Sequence, residues 1–374
     1  MRVKVHMTPN KRGNLHSDFT SAISTAEKTS ELMVLVAQIA KQNAQDLVEH
    51  VKANELFING AKGFTQGDFF CLPVSQEFEL EGVSFSEMVI PDSQLKLSFK
   101  EKLYALIPTS LQQYIKTAFD QVGTIAILEI EPELREYETR IGELLCESNS
   151  SIRSVFRKDG EHKGEFRVQS LVYLCGENTT VTRVIENGAI LVVDVATVYF
   201  STRLANERMR IARQVEDGED VYVMFCGVAP QGVIIAKHAN PKSVLCVELN
   251  PDGIKYALEN IRRNKLQQVT AICADVHEYT KTLVDSQSSF DRIVMNLPKS
   301  AYEFLDDAFA VAKDNCVLHY YDFLAEDEFA LAKQRVSESA QRNGFSVTFN
   351  GIHTVGSQGV RTYRICLDCV LRKL

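Results

Sequence analysis

The chain has 374 residues, of which 49 are Asp or Glu and 41 are Lys or Arg, for a formal net charge of −8. Its hydrophobic content of 45% and charged content of 24% are ordinary for a folded globular protein and argue against wholesale disorder. No stretch approaches about 18 consecutive apolar residues, which excludes a membrane-spanning helix. The acidic balance by itself argues against a protein coated with positive charge for nucleic acid.

The N-terminal segment, residues 1–90, starts with a basic stretch that lacks the apolar core of a secretory signal, although a weak organellar presequence is compatible with it. Residues 24–54 show helical periodicity, and short strand-like pieces with Gly60, Gly63 and Gly67 follow. We expect a small N-terminal domain over this segment.

The next segment, residues 91–197, mixes helical and strand-like patterns and predicts an α+β domain. Helices are predicted over 110–122 and 132–148, with a strand between them. Asn187-Gly188 joins two apolar runs, which is the strongest short-range signal for a β-hairpin.

Residues 198–374 alternate apolar strands with amphipathic helices, which predicts a doubly wound α/β sheet covered on both faces. The last two strands have no helix between them, and the short link at 356–359 permits an antiparallel hairpin at that edge. A parallel sheet that ends in an antiparallel strand is a feature of class I methyltransferases, whose Rossmann-like fold this order resembles.

The nine cysteines are an odd number scattered through apolar runs, which favours buried free thiols over a disulfide framework. Cys366 and Cys369 form a CxxC pair, but the pair lies inside a predicted strand and has no second pair beside it. We therefore predict no metal site.

The ends of the predicted strands carry a candidate cofactor site, because doubly wound folds bind ligands beyond the carboxyl ends of their strands. The first four strands of the sheet end near Gly227, Glu248, Asp275 and Asn296. Glu248 follows Gly227 by about 20 residues, the spacing at which an acidic side chain binds ribose hydroxyls. Each feature has a plainer interpretation, such as Glu248 capping the next helix, but the four together predict a nucleoside cofactor.

The first strand-end loop reads GVAPQG, with Ala229 and Pro230 where a dinucleotide needs bare glycines for its pyrophosphate. The Asn-Leu-Pro string at Asn296 suits methyl transfer to nitrogen, because its amide can hold a planar nucleophile. The cofactor predicted from this loop is S-adenosylmethionine.

Two basic clusters stand out on this acidic chain. One surrounds Glu207 and contains four arginines: Arg203, Arg208, Arg210 and Arg213. The other runs through 153–167 and contains Arg153, Arg157, Lys158, Lys163 and Arg167. On one helix, Arg203, Glu207 and Arg210 share a face. The plainer interpretation is a solvated helix with an ordinary ion pair, but two clusters suggest a localised phosphate track.

Four strings, YFSTRLANERMR, MFCGVAP, VMNLPKSAYEFLD and GEFRVQSLVYLCGENTTVTRVIENG, resemble the archaeal and eukaryotic tRNA (guanine(37)-N1)-methyltransferase family. The resemblance runs from about residue 90 to the C-terminus. It implies transfer of a methyl group from S-adenosylmethionine to N1 of guanosine 37, next to the anticodon. It also implies three parts: a tRNA outer-corner domain over 1–90, an RNA-binding domain over 91–197 and a catalytic domain over 198–374.

The resemblance also implies roles for single residues. Glu207 matches the general base, Asn296 the residue that orients the target base, and Arg167 the arginine at guanine O6. The other matches are Tyr199, Arg203 and Pro298 on the substrate side and Arg203, Phe225, Gly227, Glu248, Asp275 and Asn296 on the cofactor side. The residue types suit the reaction, because N1 must lose its proton to a carboxylate while a cation stabilises charge on O6.

Three positions depart from the family pattern: Val223 replaces an acidic residue, Ala229 a glycine, and Gln231 a common aromatic. Alternatives therefore stay open: an aminocarboxypropyl transferase or wyosine-precursor methyltransferase of the wybutosine pathway, or an inactive tRNA-binding subunit. The expected partner is tRNA, bound at its anticodon stem-loop and outer corner by a monomer. A cytoplasmic location is expected, with a nuclear or mitochondrial pool as an alternative.

Overall fold

The computed structural model of the chain describes residues 31–58, 61–91, 98–160, 168–359 and 361–374. The main chain divides into two compact units. Of the described residues, those up to 119 together with 129–151 and 174–176 form the first unit, and those in 120–128, 152–173 and 177–374 form the second. The three-domain division at residues 90 and 197 stays a prediction.

The first unit contains an antiparallel sheet in the order β2-β3-β1-β4. Its strands are β1 (Glu31–Ala40), β2 (Phe64–Gln66), β3 (Phe69–Pro73) and β4 (Ser84–Pro91). The helix predicted over 24–54 is wrong over 31–40, and 24–30 lies outside the described residues. β1 is an inner strand with Val36 packed on one face and Ala37 on the other, so its apolar run lacks the period of two that indicates a strand.

In the described part of the first unit, the α-helices are α1 (Ala44–Ala53), α2 (Phe99–Leu106) and α3 (Glu138–Ser148). α3 confirms the helix predicted over 132–148, after a 3₁₀ turn at Pro132–Tyr137. The helix predicted over 110–122 is wrong, because only the 3₁₀ stretch Thr109–Tyr114 forms before a strand begins at Phe119. The Gln112 side chain there donates to the carbonyls of Tyr104 and Ile107 and ties the short turn to the end of α2.

The strands between the first helices and the hairpin form a small sheet in the order β5-β6-β7-β8. They are β5 (Phe119–Val122), β6 (Ile125–Leu128), β7 (Ser154–Lys158) and β8 (Leu171–Gly176). The predicted hairpin is confirmed as β9 (Val181–Glu186) and β10 (Ala189–Asp194). Asn187 and Gly188 both have positive φ, at 46° and 72°, as a type I′ turn requires.

The large sheet of the second unit has seven strands in the order β13-β12-β11-β14-β15-β17-β16. Their bounds are β11 (Asp220–Met224), β12 (Ser243–Glu248), β13 (Val269–Cys273), β14 (Phe290–Met295), β15 (Ala312–Ala325), β16 (Phe345–Gly359) and β17 (Thr362–Lys373). The first five run parallel. β17 is antiparallel to both β15 and β16, which confirms the closing hairpin and places its antiparallel strand one position inside the edge.

Among the described residues, the α-helices that accompany this sheet are α4 (Ala205–Ala212), α5 (Pro230–His238), α6 (Pro251–Arg263), α7 (Val276–Asp285), α8 (Leu305–Ala310) and α9 (Phe329–Arg342). Apolar side chains are buried on both faces, with Val223 and Tyr321 in one cluster and Tyr222 and Tyr320 in the other. Strand order reverses between β11 and β14, so the carboxyl ends of these strands form the expected ligand crevice.

Candidate active site

Glu207 lies in the first turn of α4. Its side chain is only 9% exposed, so the solvated-helix interpretation does not hold. The Arg210 guanidinium donates to both carboxylate oxygens, from Nε to Oε2 at 2.7 Å and from Nη2 to Oε1 at 2.8 Å. The hydroxyl of Tyr321 on β15 donates to Oε1 at 2.6 Å. Glu207 is therefore a buried carboxylate with a fixed orientation.

The charge state of Glu207 follows from these contacts. Burial raises the pKa of Glu207, but the hydrogen bonds from Arg210 and Tyr321 outweigh burial and hold that pKa below its ordinary value. The carboxylate is thus ionised at neutral pH, as a proton acceptor must be.

Arg208, the next residue along α4, anchors the helix. It is buried and donates to Glu186 at the end of β9, from Nε at 2.7 Å, and to the Ser201 carbonyl at 2.9 Å. Gln231, at the start of α5, donates to the Arg208 carbonyl at 3.1 Å. The hairpin and the start of α5 therefore both hold the helix that carries Glu207.

The loop after β11 contacts the end of β12. Gly227, at φ +55°, donates its amide hydrogen to Glu248 Oε2 at 2.7 Å. The backbone amide of Asn250 donates to Oε1 of Glu248 at 2.9 Å. The Asn250 side chain caps α6 by accepting from the Asp252 amide, so Glu248 is not the helix cap. Each oxygen of Glu248 keeps a lone pair, which suits two ribose hydroxyls.

The space beside Gly227 supports the same use. Among the described residues, a Cβ added there comes within 4 Å of the Tyr199 carbonyl oxygen alone, at 3.7 Å. The turn therefore leaves room for a ligand next to the Glu248 carboxylate, and these residues fit a nucleoside cofactor.

The three departures from the family pattern have different structural consequences. Val223 is fully buried inside β11, in the apolar core. Ala229 takes the left-handed conformation, with φ +57°, where a glycine is usual; a side chain there costs about 1 kcal/mol. Gln231 is buried and serves the Arg208 contact.

The remaining strand ends carry the other predicted residues. Asp275 caps α7 by accepting from the Glu278 amide at 3.1 Å. Phe225 packs edge-on against Phe304, with ring centroids 4.8 Å apart. Asn296 follows β14, is partly exposed, and makes no side-chain hydrogen bond to the part of the chain that the structure describes. Pro298, two residues further along the chain, is buried.

The substrate-side residues are more exposed. Tyr199 is half-exposed, and Arg364 donates to its hydroxyl at 2.9 Å. The Arg203 side chain is 76% exposed and pairs with Asp120. Arg203 lies in the 3₁₀ turn Thr202–Leu204 before α4, so the expectation that it shares a helix face with Glu207 is wrong. Arg167 lies outside the described residues.

The expected phosphate track is wrong for three of its arginines, because they are paired inside the protein. Arg157 is buried and pairs with Asp159 at 2.8 Å. Arg208 and Arg210 are paired as described above. Exposed positive charge remains at Arg153, Arg203 and Arg213, and Lys163 falls with Arg167 outside the described residues.

The CxxC pair lies within β17, as predicted, with both thiols buried. Cys366 is grouped with His319 and Asp368 in one buried cluster of possible metal ligands. The Nδ1 atom of His319 lies 2.7 Å from Asp368 and its Nε2 atom lies 2.8 Å from the Arg292 guanidinium. With both ring nitrogens engaged and Arg210 also on Asp368, the cluster does not suit a cation.

Tyr321 and Asp368 contact the Glu207–Arg210 pair, and sequence reasoning missed both. The available signal for Asp368 was a carboxylate inside the apolar run RICLDCVL, since a buried acid needs a partner. For Tyr321 no local signal separates it from its neighbour Tyr320.

This fold and these strand-end residues define a class I methyltransferase that uses S-adenosylmethionine. The family profile described as "TRM5/TYW2 methyltransferase domain" matches residues 182–348, and that described as "TYW2 N-terminal domain" matches 99–179. The chain belongs to the tRNA (guanine(37)-N(1))-methyltransferase family. It is 37% identical over 305 residues to Trm5b of Pyrococcus abyssi, across 81% of this chain and 88% of that relative.

Solved structures agree. The crystal structure of wild-type Pyrococcus abyssi Trm5b has a TM-score of 0.66 at 32% identity and covers 91% of this chain and 100% of that one. A complex of aTrm5 with tRNALeu has a TM-score of 0.65 at 30% identity, with coverages of 90% and 99%. Methanocaldococcus jannaschii Trm5 in complex with adenosine has a TM-score of 0.62 at 28% identity, with coverages of 91% and 100%.

A sister transferase is also similar. The tRNA(Phe) (4-demethylwyosine(37)-C(7)) aminocarboxypropyltransferase of Pyrococcus horikoshii is 30% identical over 233 residues, across 62% of this chain and 81% of that relative. The methyltransferase Trm5b of P. abyssi matches at higher identity over more of the chain. The predicted family, fold class and cofactor are confirmed. Within the described ranges, every helix is too short or too polar to span a bilayer.

Proposed function

We propose that this chain methylates N1 of guanosine 37 in tRNA with Glu207 as the general base. As a tRNA (guanine(37)-N1)-methyltransferase, the chain transfers a methyl group from S-adenosylmethionine to tRNA. When bound, the cofactor supplies a methyl group on a positively charged sulfur, which an unprotonated ring nitrogen can attack. The observation that carries the base assignment is the buried, ionised Glu207 carboxylate, held by Arg210 and Tyr321.

The other residues divide the remaining work. Glu248, held by the Gly227 and Asn250 amides, would bind the ribose hydroxyls of the cofactor, with Asp275 at the next strand end. Asn296 would donate and accept hydrogen bonds that hold the guanine ring in plane, a positioning effect. Arg167, by the resemblance, would stabilise charge on O6. N1 lies on the pairing edge, so the base must be presented unpaired.

The product identifies the reaction. The purified chain is incubated with tRNA transcripts that differ only in having G or A at position 37, and with tRNA that carries 4-demethylwyosine at that position. The label is placed in the methyl group or, separately, in the aminocarboxypropyl group of the cofactor. We expect 1-methylguanosine from the G37 transcript alone, with methyl label only. Aminocarboxypropyl label in the tRNA identifies the sister reaction, which the match to the TYW2 N-terminal domain keeps as the second candidate.

The finer features of tRNA binding belong to the same proposal. A monomer would contact the anticodon stem-loop through residues 91–197 and the outer corner through residues 1–90. Full-length tRNA is then expected to bind more tightly than an isolated anticodon stem-loop, and sedimentation of the complex should give one chain per tRNA. Equal affinity for the two RNAs would contradict the outer-corner contact. We also propose a cytoplasmic location for the chain.

A further inference from the structure

Glu207 is one member of a connected set of buried polar side chains. Arg210 donates to Asp368 on β17 as well as to Glu207. Asp368 also contacts Nδ1 of His319 at 2.7 Å, because the strand register places Asp368 opposite His319. We call Glu207, Arg210, Tyr321, Asp368 and His319 the base network.

The network occupies most of the Glu207 carboxylate. Oε1 accepts from both Tyr321 and Arg210, and Oε2 accepts from Arg210 alone. Each carboxylate oxygen has two lone pairs. Within the described part of the chain, one lone pair of Oε2 is therefore the position left for another proton.

We propose that Tyr321 and Asp368 are positioning residues for the base: Tyr321 and Arg210 direct proton transfer to Oε2 of Glu207, and Asp368 sets the basicity of Glu207 by sharing the charge of Arg210. The inference rests on the proposed role of Glu207. In the step, the N1–H bond breaks and an O–H bond forms at Oε2. The electron pair of the broken bond stays on N1, where it is available to the methyl group.

Tyr321 and Asp368 act on Glu207 in opposite senses. The Tyr321 hydroxyl donates to the ionised carboxylate and favours it, whereas the negative charge of Asp368 disfavours ionisation of its neighbour. Removal of the hydroxyl should therefore raise the pKa of Glu207, and removal of the Asp368 charge should lower it. A loss of packing alone gives no reason for opposite signs.

The surroundings of Asp368 hold the charge pattern in place. Burial lowers the pKa of His319, despite Asp368, so the ring is neutral at physiological pH. The other groups that face Asp368 are Gln214 Nε2 at 3.3 Å, Cys366 Sγ at 3.2 Å and His353 Nε2 at 3.4 Å. Arg292, paired with Glu219, contacts the far side of His319.

The chain offers matched controls on neighbouring positions. Tyr320, next to Tyr321, packs in the other apolar cluster and donates to Asp322 at 2.6 Å. Asp322 is buried and paired with Arg335, as Asp368 is with Arg210. Tyr320→Phe and Asp322→Asn therefore remove the same chemical groups from an equivalent buried pair that does not contact Glu207.

The test is a ¹³Cδ-glutamate NMR titration of the full chain, with the Glu207 signal assigned by its loss in Glu207→Gln. Tyr321→Phe should move the Glu207 midpoint up by about 1 pH unit. Asp368→Asn should move it down, and both controls should leave it unchanged. Shifts of one sign, no shift, or equal shifts in the controls overturn the proposal. If Asp368→Asn does not fold, the test rests on Tyr321→Phe. An unchanged Glu207 midpoint in that variant is sufficient to reject the proposal.

Methyl transfer measured on the same variants distinguishes a failure of the positioning roles from a failure of the proposed general base. If Glu207→Gln keeps the wild-type rate while the two midpoints shift in opposite directions, the base assignment fails and the network stands. If Glu207→Gln is inactive and the midpoints do not move, the base stands and the positioning roles fail.

Discussion

The two sides of the candidate site are built differently. Glu207 receives three hydrogen bonds from its own chain and is nearly buried. Asn296 is partly exposed and makes no side-chain hydrogen bond to the described residues. The group proposed to take the proton is thus complete before tRNA binds, whereas the group proposed to hold the base keeps its donors and acceptor for the substrate.

The difference has an energetic cause. A buried carboxylate without partners costs several kcal/mol, so it must be paired within the fold. An exposed amide is solvated by water and can exchange that water for a ligand at little cost. Changes near Glu207 should therefore affect both stability and activity, and changes at Asn296 activity alone.

The largest effect is expected from Arg210→Met, which leaves Glu207 and Asp368 buried without their shared cation. We expect a loss of about 3–5 kcal/mol in the free energy of unfolding, measured by urea denaturation, with loss of methyl transfer in the protein that remains folded. Arg335→Met is the control, because it breaks the similar pair with Asp322. Arg335→Met should lower the free energy of unfolding but leave the methyl-transfer rate of the folded fraction unchanged. An Arg210→Met protein that keeps the wild-type rate would contradict the proposed difference between the two sides of the site.

At Asn296 the expected effect is on rate only. Asn296→Ala should slow single-turnover methyl transfer by about 100-fold, as expected for loss of a positioning group, while the free energy of unfolding stays within about 0.5 kcal/mol of wild type. Thermal unfolding and rapid-quench assays measure the two quantities. A large loss of stability shows that Asn296 has a structural role, and the contrast with Glu207 then disappears.

A fall in pH should lower the free energy of unfolding through the buried polar groups around Glu207. His319 is buried with a pKa lowered from 6.5, so its unfolded form binds a proton more readily and stability falls as pH drops below 6.5. Glu207 and Asp368 also have lowered pKa values, from 4.5 and 3.8, so their contribution is complete above those values and is lost as pH falls through the folded ones.

The slope for one proton is at most about 1.4 kcal/mol per pH unit. His319→Gln keeps a hydrogen-bond donor and an acceptor but does not titrate. In this variant, the free energy of unfolding should no longer fall between pH 6.5 and 5. An unchanged slope in this variant shows that His319 does not titrate in the unfolding equilibrium.

The smallest effect is expected at the cofactor loop. Ala229 has φ +57°, so Ala229→Gly should relieve strain and stabilise the chain by up to about 1 kcal/mol. Ala236→Gly, inside α5, is the opposite control and should destabilise by about 1 kcal/mol. If both variants lose stability equally, the left-handed conformation carries no strain.

The sequence predicted the features that depend on residues close together in the chain. The Asn187-Gly188 turn needs two residues with positive φ, and alternation of strands and helices determines the parallel sheet. β1 was missed because both of its faces are buried. The position of Glu207 in its motif was predictable. Tyr321, which contacts Glu207, and Asp368, which contacts Arg210, come from strands more than 100 residues away, and only the sheet register brings them together.

The most direct test of the account is the single-turnover rate of Glu207→Gln at saturating cofactor and tRNA, with the cofactor Kd measured in parallel. The amide keeps the size of the side chain but cannot accept the N1 proton. The account predicts a rate at least about 100-fold below wild type, with the Kd for S-adenosylmethionine unchanged. A rate near that of wild type would contradict it.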